Sequence, residues 1–197
     1  YGFPVDLTAD ILRGQGRELD FKGFEESMNL QRENARQAWS GTGDKEADLT
    51  WITINEREEE VKFLGYENTH ANSKVSSIVI NNKEEDEAKA GEEAKVVTIE
   101  SPFYAEAGGQ LGDTGNIEWN NGEAIVLDTM KFGKLIIHSI KVIKGILKVN
   151  DDVSLNIDLE RRNSLKVHHS ATHLLHEALR RNLGEHISQK GSLVAPN

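Results

Sequence analysis

The chain has 197 residues, 23 Lys and Arg against 33 Asp and Glu, a formal net charge of −10 and no cysteine. That length holds one large or two small domains with a real core, and the lack of cysteine excludes disulfides and fits a reducing, cytoplasmic setting. Mean hydropathy of −0.53, with no apolar run near the ~20 residues of a bilayer span and no secretory pattern, argues against a membrane partner, and the acidic balance argues against a generic nucleic-acid coat.

Residues 1 to 39 read as helical. Asp6 or Thr8 can cap a short helix carrying Ile11 and Leu12, closed by Gly14-Gln15-Gly16. Asp20 can cap a longer one, whose Phe24, Met28, Gln31, Ala35 and Trp39 recur near the 3.6-residue period. The stretch from Ser40 to Glu46 reads as a linker.

From about Thr50 to Glu160 the pattern changes to strands: 61–66, 75–80, 96–99, 116–119, 124–128, 135–142 and 153–159. Val153, Leu155, Ile157 and Leu159 alternate, and Asn120-Asn121-Gly122 marks a hairpin. Many short consecutive strands favour a small closed barrel over a parallel sheet, with Glu84 to Glu93 as a solvated excursion on it. Lys131, Lys134, Lys141, Lys144 and Lys148 put positive charge within this region.

Ser101 to Gly115 interrupts the strands with Gly108, Gly109, Gly112 and Gly115, four glycines in eight residues. Such a loop permits positive φ and close backbone approach, at a barrel corner or at a ligand. It meets neither the Walker A nor the dinucleotide spacing. Gln110 lies among the glycines, where its neutral amide can fix a carbonyl or hydroxyl without bringing charge.

The chain then turns helical from Arg161 to Leu183, with Leu165, Leu175, Leu179 and Leu183 at helical spacing and Gly184 as a stop. Five of its seven histidines lie between His168 and His186. His169 and His173 are one turn apart, where both imidazoles can reach one ion. Zinc prefers about four ligands, so two histidines leave its shell half filled. Ser170 stands where zinc proteases carry Glu, which separates the pattern from theirs. His186 to Val194 reads as the first strand of an α/β unit. Tyr1 in place of an initiator Met, and a stop just after that strand, point to a piece of a longer protein.

Four stretches together resemble alanyl-tRNA synthetase. They are Tyr1-Gly-Phe-Pro-Val-Asp-Leu-Thr8, the loop from Pro102 to Asp113, the helical His169-Ser-Ala-Thr-His173-Leu-Leu, and Gln189-Lys-Gly-Ser-Leu193. They stand in that family's order and span essentially the whole chain. The resemblance implies an α+β fold in three parts. Residues 1–45 would end the helical tRNA-recognition region, 46–160 would form a translation-factor-like β-barrel, and 161–197 would begin a zinc-containing α/β editing domain. The family's ATP- and alanine-binding domain precedes such a segment, so ATP and magnesium belong outside this chain.

In that family the editing site hydrolyses Ser-tRNA(Ala) and Gly-tRNA(Ala). Carried over residue by residue, the resemblance makes His169 and His173 zinc ligands, with the remaining Cys-and-His ligands unmatched in this chain. His168 is a surface or packing residue, and His176 a stand-in ligand at most. The resemblance places Gln110, Gly108 and Gly109 at the pocket. Gln110 positions substrate or water, because an amide cannot take a proton. Glu106, the one carboxylate in the loop before Asp113, can orient a neighbour or make a structural hydrogen bond. Thr172 and Ser192 either line the pocket or satisfy backbone groups. Arg161, Arg162, Arg180, Arg181 and Lys190 are candidate contacts to tRNA(Ala), and the other synthetase domains are implied partners.

A truncated sheet would expose an edge and favour association between copies. With half a metal site, the isolated chain is expected to edit weakly or not at all. The alternatives are a nucleic-acid-binding barrel without chemistry, a freestanding trans-editing deacylase, which would lack the helical start, and a metal-dependent hydrolase unrelated to translation.

Overall fold

In the computed structural model, the described residues are 45–189 and 191–196, with Asp20 and Gly23. The chain divides into two compact units, Tyr1–Asp44 and Lys45–Asn197. In the first, Asp20 Oδ1 accepts the Gly23 amide at 2.9 Å, the capping geometry its sequence anticipates. The remaining helical readings for residues 1–39 fall outside the described residues.

The second unit opens with helix α1 (Lys45–Arg57), where the sequence reads as the end of a linker and the start of strands. Thr50, Ile52, Thr53 and Ile54 are β-branched and favour strands locally. Burial of Trp51 and Ile54, one turn apart, decides for the helix. Strands follow: β1 (Lys62–Phe63), β2 (His70–Ile80), β3 (Lys83–Glu85), β4 (Glu87–Lys89), β5 (Glu93–Thr98), β6 (Glu100–Ser101), β7 (Gly115–Trp119), β8 (Gly122–Phe132), β9 (Leu135–Lys144), β10 (Ile146–Lys148) and β11 (Asp152–Ile157). Helix α2 (Leu159–Leu183) comes last among these elements.

Six strands close a barrel, paired antiparallel in the order β11-β7-β8-β9-β5-β2, and β11 returns to β2 with Leu155 opposite Ala71. Val75, Ile78, Val96, Ile117, Val126, Ile140 and Leu155 fill its interior. The alternate residues Val79 and Val97 face outward, yet they too are buried, against Trp51, Ile54 and Ile136. Strands β2 and β5 are therefore apolar on both faces where Ile78-Val79 and Val96-Val97 stand side by side. The Glu84–Glu93 excursion is mostly exposed. It still contributes β3 to an edge and β4 to a pairing with β10, and it buries Ala88.

The hairpin of β7 and β8 turns through Asn120 and Asn121, since Trp119 pairs with Gly122. At the other end of the sequence pattern, Leu159 belongs to α2 rather than to the last strand, because Asp158 accepts the Arg161 amide at 3.0 Å and starts the helix there. The described residues of 186–194 do not form the expected strand. Among the described residues of that stretch, Val194 alone makes a bridge, to Gln110. The edge that would have joined copies through a truncated sheet is therefore absent from this stretch.

Candidate functional site

Helix α2 is docked by its first turns. Arg162 and Leu165 are its buried residues, and His169 continues the same stripe one turn on. Arg162 carries the dock. Its Nε donates to both Asp113 carboxylate oxygens at 2.9 Å, and Nη2 adds a second contact to Oδ2. Nη1 donates to the Gly65 carbonyl at 3.0 Å and Nη2 to the Pro102 carbonyl at 2.9 Å. Asp113 also accepts the Tyr104 amide at 2.7 Å. One buried guanidinium thus ties the helix to the glycine-rich loop, to the segment before it and to the turn at Gly65.

This corrects the reading of Arg162 as a nucleic-acid contact. Only 6% of it is exposed, and each of its guanidinium nitrogens is already bonded inside the protein, so its role is to hold the loop and helix together at the edge of the pocket it lines. Arg161 is half-buried and donates Nη2 to the Gly112 carbonyl at 3.2 Å, while its Nη1 is buried without a hydrogen-bond partner. Arg180 and Arg181 are exposed in the last turn, with Arg181 paired to Glu177 at 2.7 Å. Lys190 lies outside the described residues.

The loop is held from its other side by residues 192–194. The Val194 amide donates to the Gly109 carbonyl at 2.7 Å, and the Leu111 amide to the Val194 carbonyl at 3.2 Å. Gly109 has φ +83°, and a Cβ there would lie 2.0 Å from the Ser192 carbonyl oxygen, so only glycine fits. Clamped in this way, Gln110 is buried, and its Oε1 accepts from His169 Nδ1 at 2.7 Å. With the Nδ1 proton committed to that bond, the neutral His169 ring presents its lone pair on Nε2. The His169 and His173 rings lie with centroids 4.9 Å apart. Two imidazoles at that spacing, one held in a single tautomer by an amide, suit a shared zinc ion. Among the described residues no group of three or more His, Cys, Asp or Glu forms a metal site.

A pocket of about 480 Å³ opens beside Gln110 and His169, lined also by Arg162, Lys166, Tyr104, Phe63 and Tyr66. Other expected residues sit elsewhere. Glu106 is exposed and does not line the pocket. Gly108 has open space around it. Thr172 donates Oγ1 to the His168 carbonyl at 2.9 Å, and Ser192 accepts from Gln189 at 3.0 Å, so each serves local structure. His168 Nδ1 meets the Ala195 carbonyl at 2.6 Å, and His176 Nε2 is buried without a partner. The sequence places Phe63 and Tyr66 in a strand and Tyr104 in the glycine-rich loop, and it does not show that the three rings form one wall of this pocket. Its signal was Gly65 between Phe63 and Tyr66, a turn residue inside an apolar run.

The family model described as tRNA synthetases class II (A) matches residues 1–161. The chain belongs to that family. Over its whole length it is 46% identical to the alanine–tRNA ligase of Parvibaculum lavamentivorans, 47% to that of Granulibacter bethesdensis and 44% to that of Rhodopseudomonas palustris. This synthetase segment spans about 22% of the length of those relatives. The family match includes Gln110 and ends at Arg161, in the first turn of α2, so the partner histidine His169 lies just past it. Among its described residues no helix is long and apolar enough to cross a membrane.

Proposed function

We propose that this segment carries part of the editing site of an alanine–tRNA ligase, which hydrolyses tRNA(Ala) mischarged with serine or glycine. The observation that supports this reading most is the 2.7 Å hydrogen bond from His169 to Gln110. It makes one site of the glycine-rich loop and the histidine helix. A pocket shaped for alanine cannot exclude smaller glycine and rejects serine poorly by binding alone, so a second site has to destroy the wrong esters.

His169 and His173 would hold zinc, and bound zinc supplies Lewis-acid polarisation of a substrate oxygen or amine. The chain's own groups bind and orient. Gln110 takes no proton; it fixes the His169 ring and brings no charge to the pocket. Tyr104 and Phe63 give that pocket an apolar wall, and Lys166 gives it a cation for phosphate. The buried Arg162–Asp113 pair keeps loop and helix in register at the edge of that pocket, which Arg162 also lines.

The partners in this reading are tRNA(Ala) and the rest of a ligase polypeptide, with ATP and magnesium used elsewhere in that polypeptide and the whole acting in the cytoplasm. On its own, the segment would supply two of about four zinc ligands and deacylate weakly or not at all. Rapid hydrolysis of Ser-tRNA(Ala) by the purified chain would contradict that part.

The reading as a whole is tested by replacing the matching stretch of the Parvibaculum lavamentivorans ligase with this chain. Gln110→Ala or His169→Ala in the chimera should let Ser-tRNA(Ala) accumulate by about ten-fold or more while alanine charging is retained. Unchanged mischarging in both variants would overturn it.

A further inference from the structure

Tyr66 is 86% exposed, yet it is rigidly mounted. It stands in the turn Gly65-Tyr66-Glu67, closed by the Asn68 amide donating to the Leu64 carbonyl at 3.0 Å. Arg162 pins the Gly65 carbonyl from inside at 3.0 Å. A Cβ on Gly65 would lie 2.2 Å from the Pro102 carbonyl oxygen, so the turn packs tightly against the segment leading into the glycine-rich loop. The Tyr66 ring meets Phe63 edge-on, with centroids 5.0 Å apart and planes at 81°. Phe63 meets Tyr104 in the same manner at 6.3 Å. An aromatic ring held this firmly and left this open offers a face to something outside the chain.

Phe63, Tyr66 and Tyr104 form the border between two hollows. One is the Gln110–His169 pocket, which also holds Lys166. The other is a groove of about 580 Å³ lined by Lys62, Lys131 and Lys134, with Glu60 as its one carboxylate. Lys62 pairs with Glu100 at 3.0 Å, which leaves Lys131, Lys134 and Lys166 as the stronger cations. In a chain of net charge −10, this is a local reversal of sign. Cations along a groove, interrupted by an exposed aromatic face, are what a single-stranded nucleic acid requires: the charges follow phosphates and the ring stacks a base.

We propose that Tyr66 is the stacking platform for the terminal base of a single-stranded RNA 3′ end. The strand runs along the Lys131–Lys134 groove, and its terminal ribose, with the ester it carries, enters the Gln110–His169 pocket. This rests on the editing reading above. It adds the residue that recognises the strand end and the path by which the strand arrives.

The test is equilibrium binding of the purified chain to a hairpin RNA with a 3′ overhang of about four nucleotides ending in adenosine, beside the same RNA with an abasic terminal sugar. Tyr66→Ala should weaken binding of the adenosine-ended RNA by about ten-fold, and Tyr66→Trp should bind within about two-fold of wild type. On the abasic RNA, wild type and Tyr66→Ala should bind alike. Lys131→Ala with Lys134→Ala should flatten the salt dependence and leave the preference for a terminal base intact.

If wild type binds the adenosine-ended RNA and Tyr66→Ala binds it equally well, the platform is wrong and the editing reading stands. If Tyr66→Ala loses as much on the abasic RNA, the ring does not contact the base, and the proposal fails in the same way. Failure of the wild-type chain to bind either RNA would overturn the proposal, while the editing reading is decided separately by mischarging in the chimera.

Discussion

Replacing Arg162 by Ala leaves the Asp113 carboxylate buried without its cation, a change that costs about 3–5 kcal/mol in comparable buried pairs. Urea unfolding should show that loss. Arg162→Lys should recover little of it, since an ammonium cannot span Asp113, Gly65 and Pro102 at once. His138 gives a second prediction. It is fully buried between strands, its Nδ1 donating to the Val96 carbonyl at 3.1 Å and its Nε2 accepting from Ser101 Oγ at 2.8 Å. Burial pushes its pKa down from 6.5 to about 4. Because the folded value lies below the unfolded one, the unfolded chain binds the proton first as pH falls. Stability is full above about pH 6.5 and declines toward about pH 4. Between about pH 7 and about pH 5 the decline from this group is about 2 kcal/mol. His138→Gln should remove that part of the pH dependence, read as the difference between the two proteins' unfolding curves. An equal slope in both would contradict it.

At the scale of elements, α2 is a helix with one docked half. Leu165 is buried, but Leu174, Leu175, Leu179 and Leu183 are exposed. Leu165→Ala should cost about 2–5 kcal/mol, whereas Leu175→Gln with Leu179→Gln should leave the unfolding midpoint nearly unchanged. The periodicity of these leucines was legible in the sequence; which of them meet the barrel was not, because that depends on where Arg162 finds Asp113. The same holds for the site. The glycine-rich loop and the histidine helix each announced themselves by composition, but Gln110 and His169 are 59 residues apart, and only the closure of the barrel brings them together. Helix α1 was missed for the opposite reason, since its local preference is for strand and the burial of Trp51 and Ile54 overrides it. At Gly109, substitution by Ala should detach residues 192–194 from the loop. The Val194 amide would then lose its protection from hydrogen exchange, while β5 and β9 keep theirs.

For the whole molecule, barrel closure leaves the ring of six strands without an edge, and it makes the barrel with the first turns of α2 one cooperative body. Amides of residues 175–183 should exchange well before those of 162–169, the stretch docked through Arg162 on Asp113 and His169 on Gln110. The proposed pairing of His169 and His173 on one ion belongs to that interface, where the Gln110 side-chain oxygen accepts from His169 and the two rings lie side by side. It is tested most directly by the nitrogen spectrum of the histidine rings in the purified chain, recorded before and after zinc is added. In the wild type His169 should carry its proton on Nδ1, zinc should shift the His169 and His173 signals together, and Gln110→Ala should weaken the response by about ten-fold or more. A His169 ring protonated on Nε2, or zinc that moves neither signal, would contradict it.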